Sequence, residues 1–228
     1  MSAENNLHAF LFTQIFWMLH KDSFIISENT FLLIQELQQH SALKDFFLVG
    51  GTSLALQLGH RNSVDIDLFT LNEFSTDELI LKLKPEFEVI PTLKKEKDTL
   101  LSEIRKVKTD FIRHNYPLVK APITEEGITF LSCEDIAAMK LNAITNSGKR
   151  LKDFIDIYFL LEKFSIHEMI KFFEIKYPKW NPLMALKAVT FFGDIDPEMD
   201  PPKMKKNIPL EKIQARIEQA VLHMNRKF

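Results

Sequence analysis

The chain has 228 residues, 46% of them hydrophobic, enough to bury a substantial core in one large or two small domains. Its formal net charge of -2 gives no global basic signature, so any contact with nucleic acid must come from a local patch. A single cysteine, Cys133, excludes an internal disulfide framework and a cysteine-based zinc centre.

In chain order, the polar start at Met1 to Asn6 lacks a basic n-region. The apolar stretch after it is broken by His8, Gln14, His20 and Lys21, so neither a signal peptide nor a membrane span is expected, and a cytoplasmic protein is. Leu7, Phe10, Leu11, Ile15 and Met18 have helical spacing, which predicts an amphipathic helix from Leu7 to Leu19. Ser27-Glu28-Asn29-Thr30 supplies helix-start chemistry ahead of a second helix through Leu37.

Phe47-Leu48-Val49 then runs as a strand into Gly50 and Gly51, where missing side chains allow close ligand approach. Thr52 and Ser53 follow, and a short helix from Ser53 to Leu58 ends at Gly59. Its N-terminus aims unpaired N–H groups and a positive dipole end at the glycines, which predicts an anion seat. Arg61 lies in the next loop, either touching a phosphate or standing as a solvated charge. Val64 to Phe69 reads as a strand whose two-residue period sends Asp65 and Asp67 to one face. Two adjacent carboxylates repel unless a cation sits between them, so the pair suits a hard divalent metal such as magnesium or manganese.

Ser75 to Leu83 is a predicted helix with Ser75 and Glu78 at capping-box spacing, and Phe87 to Ile90 and Thr99 to Ile104 are predicted strands around a charged tip at Lys94 to Asp98. In the strand Val107 to Ile112, Asp110 interrupts an apolar alternation. It is either a third acid paired with a cation or an edge-strand residue facing water. Pro117 to Pro122 and Ile128 to Leu131 close the sheet region.

Ser132 opens a helix over Glu134 to about Asn146, and Lys140 leaves this helix beside its buried stripe, in register with Ile136 and Ile144. It either holds a triphosphate or reaches solvent along its own stem. A helix from Leu151 to Phe164 carries Asp153 and Asp156, which spacing alone makes structural, with Lys152 the expected partner of Asp156. Helices are expected over 167–177 and 181–189, then an acidic, proline-rich loop over 193–202, with a second metal site there the lesser expectation, and a final helix carrying Ile213, Ile217, Ala220, Val221 and Met224.

The diglycine with Thr52 and Ser53, the Asp65-Ile66-Asp67 pair and the later Asp110 together resemble the DNA polymerase beta-like nucleotidyltransferase superfamily. A closer resemblance is to the AbiEii/AbiGii nucleotidyltransferase toxins, over Leu48 to Ala55, Asp65 to Phe69, Glu134 to Lys140 and Arg150 to Tyr158. The resemblance implies an α+β fold, a mixed sheet flanked by helices over 1–132 followed by a helical lobe over 133–228. It further implies that Gly50, Gly51, Thr52, Ser53, Arg61 and Lys140 hold a nucleoside triphosphate (NTP), that Asp65, Asp67 and Asp110 bind metal, and that Asp153 or, in preference, Asp156 serves catalysis. The implied reaction moves a nucleoside monophosphate to an acceptor hydroxyl, such as a tRNA 3' end, under restraint by a cognate antitoxin. The rival expectations are a small-molecule nucleotidyltransferase, an enzyme transferring AMP to protein, and an idle partner-binding scaffold.

Overall fold

A computed structural model describes residues 19–92 and 96–228. The helix expected from Leu7 lies, except for Leu19, outside the described residues, as do two of the lysines at the charged tip.

Seven strands form one mixed sheet in the order β3-β4-β5-β2-β1-β7-β6. They are β1 (Phe47–Val49), β2 (Ile66–Thr70), β3 (Val89–Pro91), β4 (Thr99–Ile104), β5 (Val107–Arg113), β6 (Ile123–Glu125) and β7 (Ile128–Phe130). β2 runs parallel to β5 and β1 parallel to β7, and the remaining pairs are antiparallel. Phe87 is buried in the turn ahead of β3 instead of extending that strand, and Pro117 to Pro122 forms a loop.

One face of the sheet is covered by α1 (Glu28–Gln39) and α3 (Thr76–Leu83). Leu33, Ile34 and Leu37 of α1 meet Leu48, Leu68 and Phe111 in a first hydrophobic core. Both helices start on serine: Ser27 accepts from the Thr30 N–H and Ser75 from that of Glu78. Such caps satisfy amides that have no partner within the helix.

The second core belongs to α4 (Cys133–Asn146), α5 (Leu151–Leu160), α6 (Ile166–Lys176), α7 (Pro182–Val189) and α8 (Leu210–Leu222). Between the cores runs α2 (Gly50–Leu58), which contributes Leu56 to the first and Leu54 to the second. Its start is therefore fixed against both sheet and helices. Helix α2 begins at the glycines themselves, three residues before the expected Ser53, and Gly59 ends it in the left-handed conformation that a side chain would strain.

A wholly buried ion pair secures the helices to the strand end. Lys176 of α6 donates to Asp135 of α4 at 2.7 Å, while Asp135 accepts the Val119 and Lys120 N–H groups from the loop after β5. Asp135 also accepts from the Ser132 hydroxyl at the start of α4, at 2.7 Å. The acidic segment 193–202 is a loop, tied to the start of α5 by the Arg150–Asp196 bridge and the Lys152–Asp200 ion pair. Lys152 thus pairs with Asp200 and not with Asp156, because Asp156 lies on the buried side of α5.

Candidate active site

The parallel pairing of β2 and β5 sets Asp67 directly beside Asp110. Since β5 is flanked on both sides and Asp110 is buried, the edge-strand, water-facing alternative is excluded. Lys108, two residues earlier on β5, pairs with Asp110 Oδ2 at 3.1 Å; the other oxygen, Oδ1, is buried without a hydrogen-bond partner. Asp65 lies just ahead of β2, its carbonyl held by the Thr52 hydroxyl. Burial, with the charges of Asp110 and Asp65 adding to it against Lys108, pushes the Asp67 carboxyl up to about 6. Crowded acids that resist ionising together are chemically poised for a cation.

The donors fit magnesium or manganese, hard ions that take carboxylate oxygens, and the unpartnered Asp110 Oδ1 offers a ligand atom. Among the described residues no three acidic, imidazole or thiol groups are placed to hold a metal ion together, Asp65, Asp67 and Asp110 included. Magnesium commonly takes one or two carboxylates, with water and substrate phosphate completing its shell.

Next to Asp67, a pocket of about 210 Å³ is lined by Gly50, Gly51, Asp67, Phe69, Lys140, Arg150 and Asp153, among others. Of the three acids only Asp67 reaches it. Gly50 has φ +70, and a Cβ there would lie 2.2 Å from Asp67 Oδ2, so the acid and the first turn of α2 pack together only because this residue is glycine. Thr52 and Ser53 turn their hydroxyls away. Thr52 is buried, its hydroxyl donating to the Asp65 carbonyl and paired with the Ser63 hydroxyl, and Ser53 Oγ accepts from Gln57. What the start of α2 offers the pocket is backbone N–H.

Beneath the glycines lies a buried charge cluster that neither reading of Arg61 anticipated. The Arg61 guanidinium is 1% exposed and grips Asp156 twice, Nε to Oδ1 at 2.7 Å and Nη2 to Oδ2 at 2.9 Å. It is thus neither a solvated charge nor a free phosphate ligand. His60 Nε2 donates to Asp156 Oδ1 at 2.7 Å, and Lys140 Nζ sits 2.7 Å from Asp156 Oδ2 and 2.8 Å from Asp153 Oδ1. Four donors saturate Asp156. Burial alone would raise its pKa, but Arg61, Lys140 and the hydrogen bonds outweigh that and hold it well below the usual carboxylate range. Burial pulls His60 the other way and keeps it neutral, its Nδ1 unpartnered. Lys140 stays charged because Asp156 and Asp153 outweigh its desolvation. Asp156, preferred above for catalysis, has no free lone pair for substrate; Asp153 lines the pocket instead. His60 carried no sequence signal, since its role depends on an aspartate 96 residues away.

The chain matches the family described as nucleotidyl transferase AbiEii toxin, type IV TA system, over residues 32–222. It belongs to the AbiEii nucleotidyltransferase toxin family.

Among its relatives in sequence is an uncharacterised protein of Aquifex aeolicus (strain VF5), aq_aa25. It is 33% identical over 160 residues, which cover 68% of this chain and 77% of that protein. MenT4, a nucleotidyltransferase toxin from Mycobacterium tuberculosis H37Rv, has a similar fold, with a TM-score of 0.57 at 14% identity over 86% of this chain and 82% of MenT4. JHP933 from Helicobacter pylori does too, with a TM-score of 0.53 at 16% identity over 87% and 90%. The mixed sheet followed by helices is the nucleotidyltransferase fold, and the AbiEii chain is a nucleotidyltransferase.

Proposed function

We propose that the protein transfers a nucleoside monophosphate from an NTP to a hydroxyl at an RNA 3' end, such as that of tRNA, and releases pyrophosphate. The observation that carries this reading is the pairing of Asp67 with Asp110 beside the glycine-built start of α2. The pocket, at about 210 Å³, suits the phosphates of a nucleotide, and sugar and base would extend beyond it.

In this reading Asp65, Asp67 and Asp110 hold magnesium or manganese, which when bound lowers the pKa of the attacking hydroxyl and steadies charge on the phosphates. Asp110 orients the acceptor hydroxyl and takes its proton. The hydroxyl oxygen bonds to the α-phosphorus as the bond to the β-phosphate oxygen breaks, and pyrophosphate carries away the electron pair. The N–H groups of Gly50 and Gly51 face the phosphates, and Lys140, fixed in the buried cluster by Asp153 and Asp156, forms part of the wall of the same pocket. Asp156 acts through Lys140 and Arg61 as a positioning residue.

NTP and RNA meet in the cytoplasm, where we place the activity, under restraint by a cognate antitoxin as the type IV family description suggests. No helix among the described residues is long and apolar enough to cross a membrane. The test supplies each labelled NTP with total RNA, bulk protein or small-molecule acceptors. Label appearing in tRNA supports the proposal; label appearing in protein or an aminoglycoside instead overturns the acceptor, and no metal-dependent NTP binding overturns the whole reading in favour of a scaffold.

A further inference from the structure

We infer that Arg150 is the cation that takes the terminal phosphates of the nucleotide, a role that rests on the reading of this pocket as an NTP site. The other cations in and beneath the pocket wall are held in close ion pairs. Arg61 and Lys140 are matched by Asp153 and Asp156 at 2.7 to 2.9 Å, and His60 is neutral, so the buried cluster is already balanced. Lys152 is in contact with Asp200, a second balanced pair. Arg150 is what remains.

Its guanidinium lies 3.8 Å from Asp153 and 3.9 Å from Asp200, beyond hydrogen-bond distance from both, and its side chain is 48% exposed. It nonetheless lines the pocket together with Gly50 and Gly51. Lys140 is only 8% exposed on its side chain and already spans two carboxylates, so drawing it onto a phosphate would strip Asp156 and Asp153 of a buried partner. Arg150 loses almost nothing by turning to a ligand. A guanidinium also presents paired N–H groups matching two phosphate oxygens. Its backbone is fixed at the start of α5, where it bridges to Asp196 of the acidic loop, whose N–H donates to the Lys149 carbonyl at 3.0 Å. The acidic loop thus seats the arginine without neutralising it.

Calorimetry with the full chain and magnesium, titrating ATP, CTP, GTP and UTP and then the di- and monophosphates of whichever base binds, tests the assignment. Arg150→Gln should weaken triphosphate binding at least tenfold, diphosphate binding less, and monophosphate binding little, with an unchanged melting temperature. Arg150→Lys should recover part of the loss. Triphosphate affinity in Arg150→Gln equal to wild type, or an equal loss for all three ligands, overturns the role of Arg150 and leaves the NTP site standing. A wild-type protein that binds none of the four triphosphates overturns both.

Discussion

Asp67 and Asp110 stand side by side on the parallel strands β2 and β5, and an oxygen of Asp67 fills the space where Gly50 lacks a side chain. Strand pairing thus brings two carboxylates 43 positions apart in sequence to the first turn of a helix, counting from 67 to 110.

Replacing Asp67 or Asp110 by asparagine is expected to remove nucleotidyl transfer while preserving the fold. The amide keeps the shape but is a poor ligand for a hard cation. For Asp67 the change also removes a carboxyl that burial makes reluctant to ionise, so the melting temperature at pH 7 should hold or rise. A folded Asp67→Asn protein with wild-type turnover would disprove the assignment.

Gly50→Ala tests the packing at the bend. The positive φ alone costs a non-glycine residue about 1–2 kcal/mol, and the new Cβ would force Asp67 aside. Urea denaturation should show at least that loss, together with impaired transfer. Unchanged stability would mean that the bend relaxes freely.

Asp156→Asn should be the most damaging single change in the buried cluster, at about 3–5 kcal/mol, because it leaves buried cations without their countercharge. Asp153→Asn should cost less, since Lys140 would keep Asp156. Chemical denaturation of the two variants orders them, and equal losses would contradict the central place of Asp156.

His114 supplies a pH dependence. Burial, with Lys176 adding to it, depresses its pKa from 6.5 to about 4. The unfolded chain therefore binds more protons between those values, and stability falls as pH drops from about 6.5 towards 4, by on the order of 1–3 kcal/mol. Above pH 6.5 the residue contributes no slope. His114→Phe should flatten this part of the profile in thermal melts from pH 4 to 7, and an unaltered profile would assign the acid sensitivity to other groups.

The local chemistry of the chain determined much of this. Ser27, Ser75 and Ser132 mark helix starts because a hydroxyl next to bare amides is a local interaction. The glycine bend, the strand carrying Asp67 and the odd carboxylate in the strand of Asp110 were legible for the same reason, since period and turn chemistry need only neighbours in sequence; the strand itself starts at Ile66, so Asp65 lies ahead of it and not within its alternation. Helical spacing likewise marked the C-terminal helices.

Which charges are free was settled by folding. Arg61, Lys140 and Asp156 look like exposed or ligand-binding groups one at a time, yet they neutralise one another because folding brings residues 61, 140 and 156 into one dry space. Arg150, by contrast, stands beyond hydrogen-bond distance of both Asp153 and Asp200. Electrostatic pairing depends on distance through space and on exclusion of water, and neither is encoded in the spacing of residues along the chain.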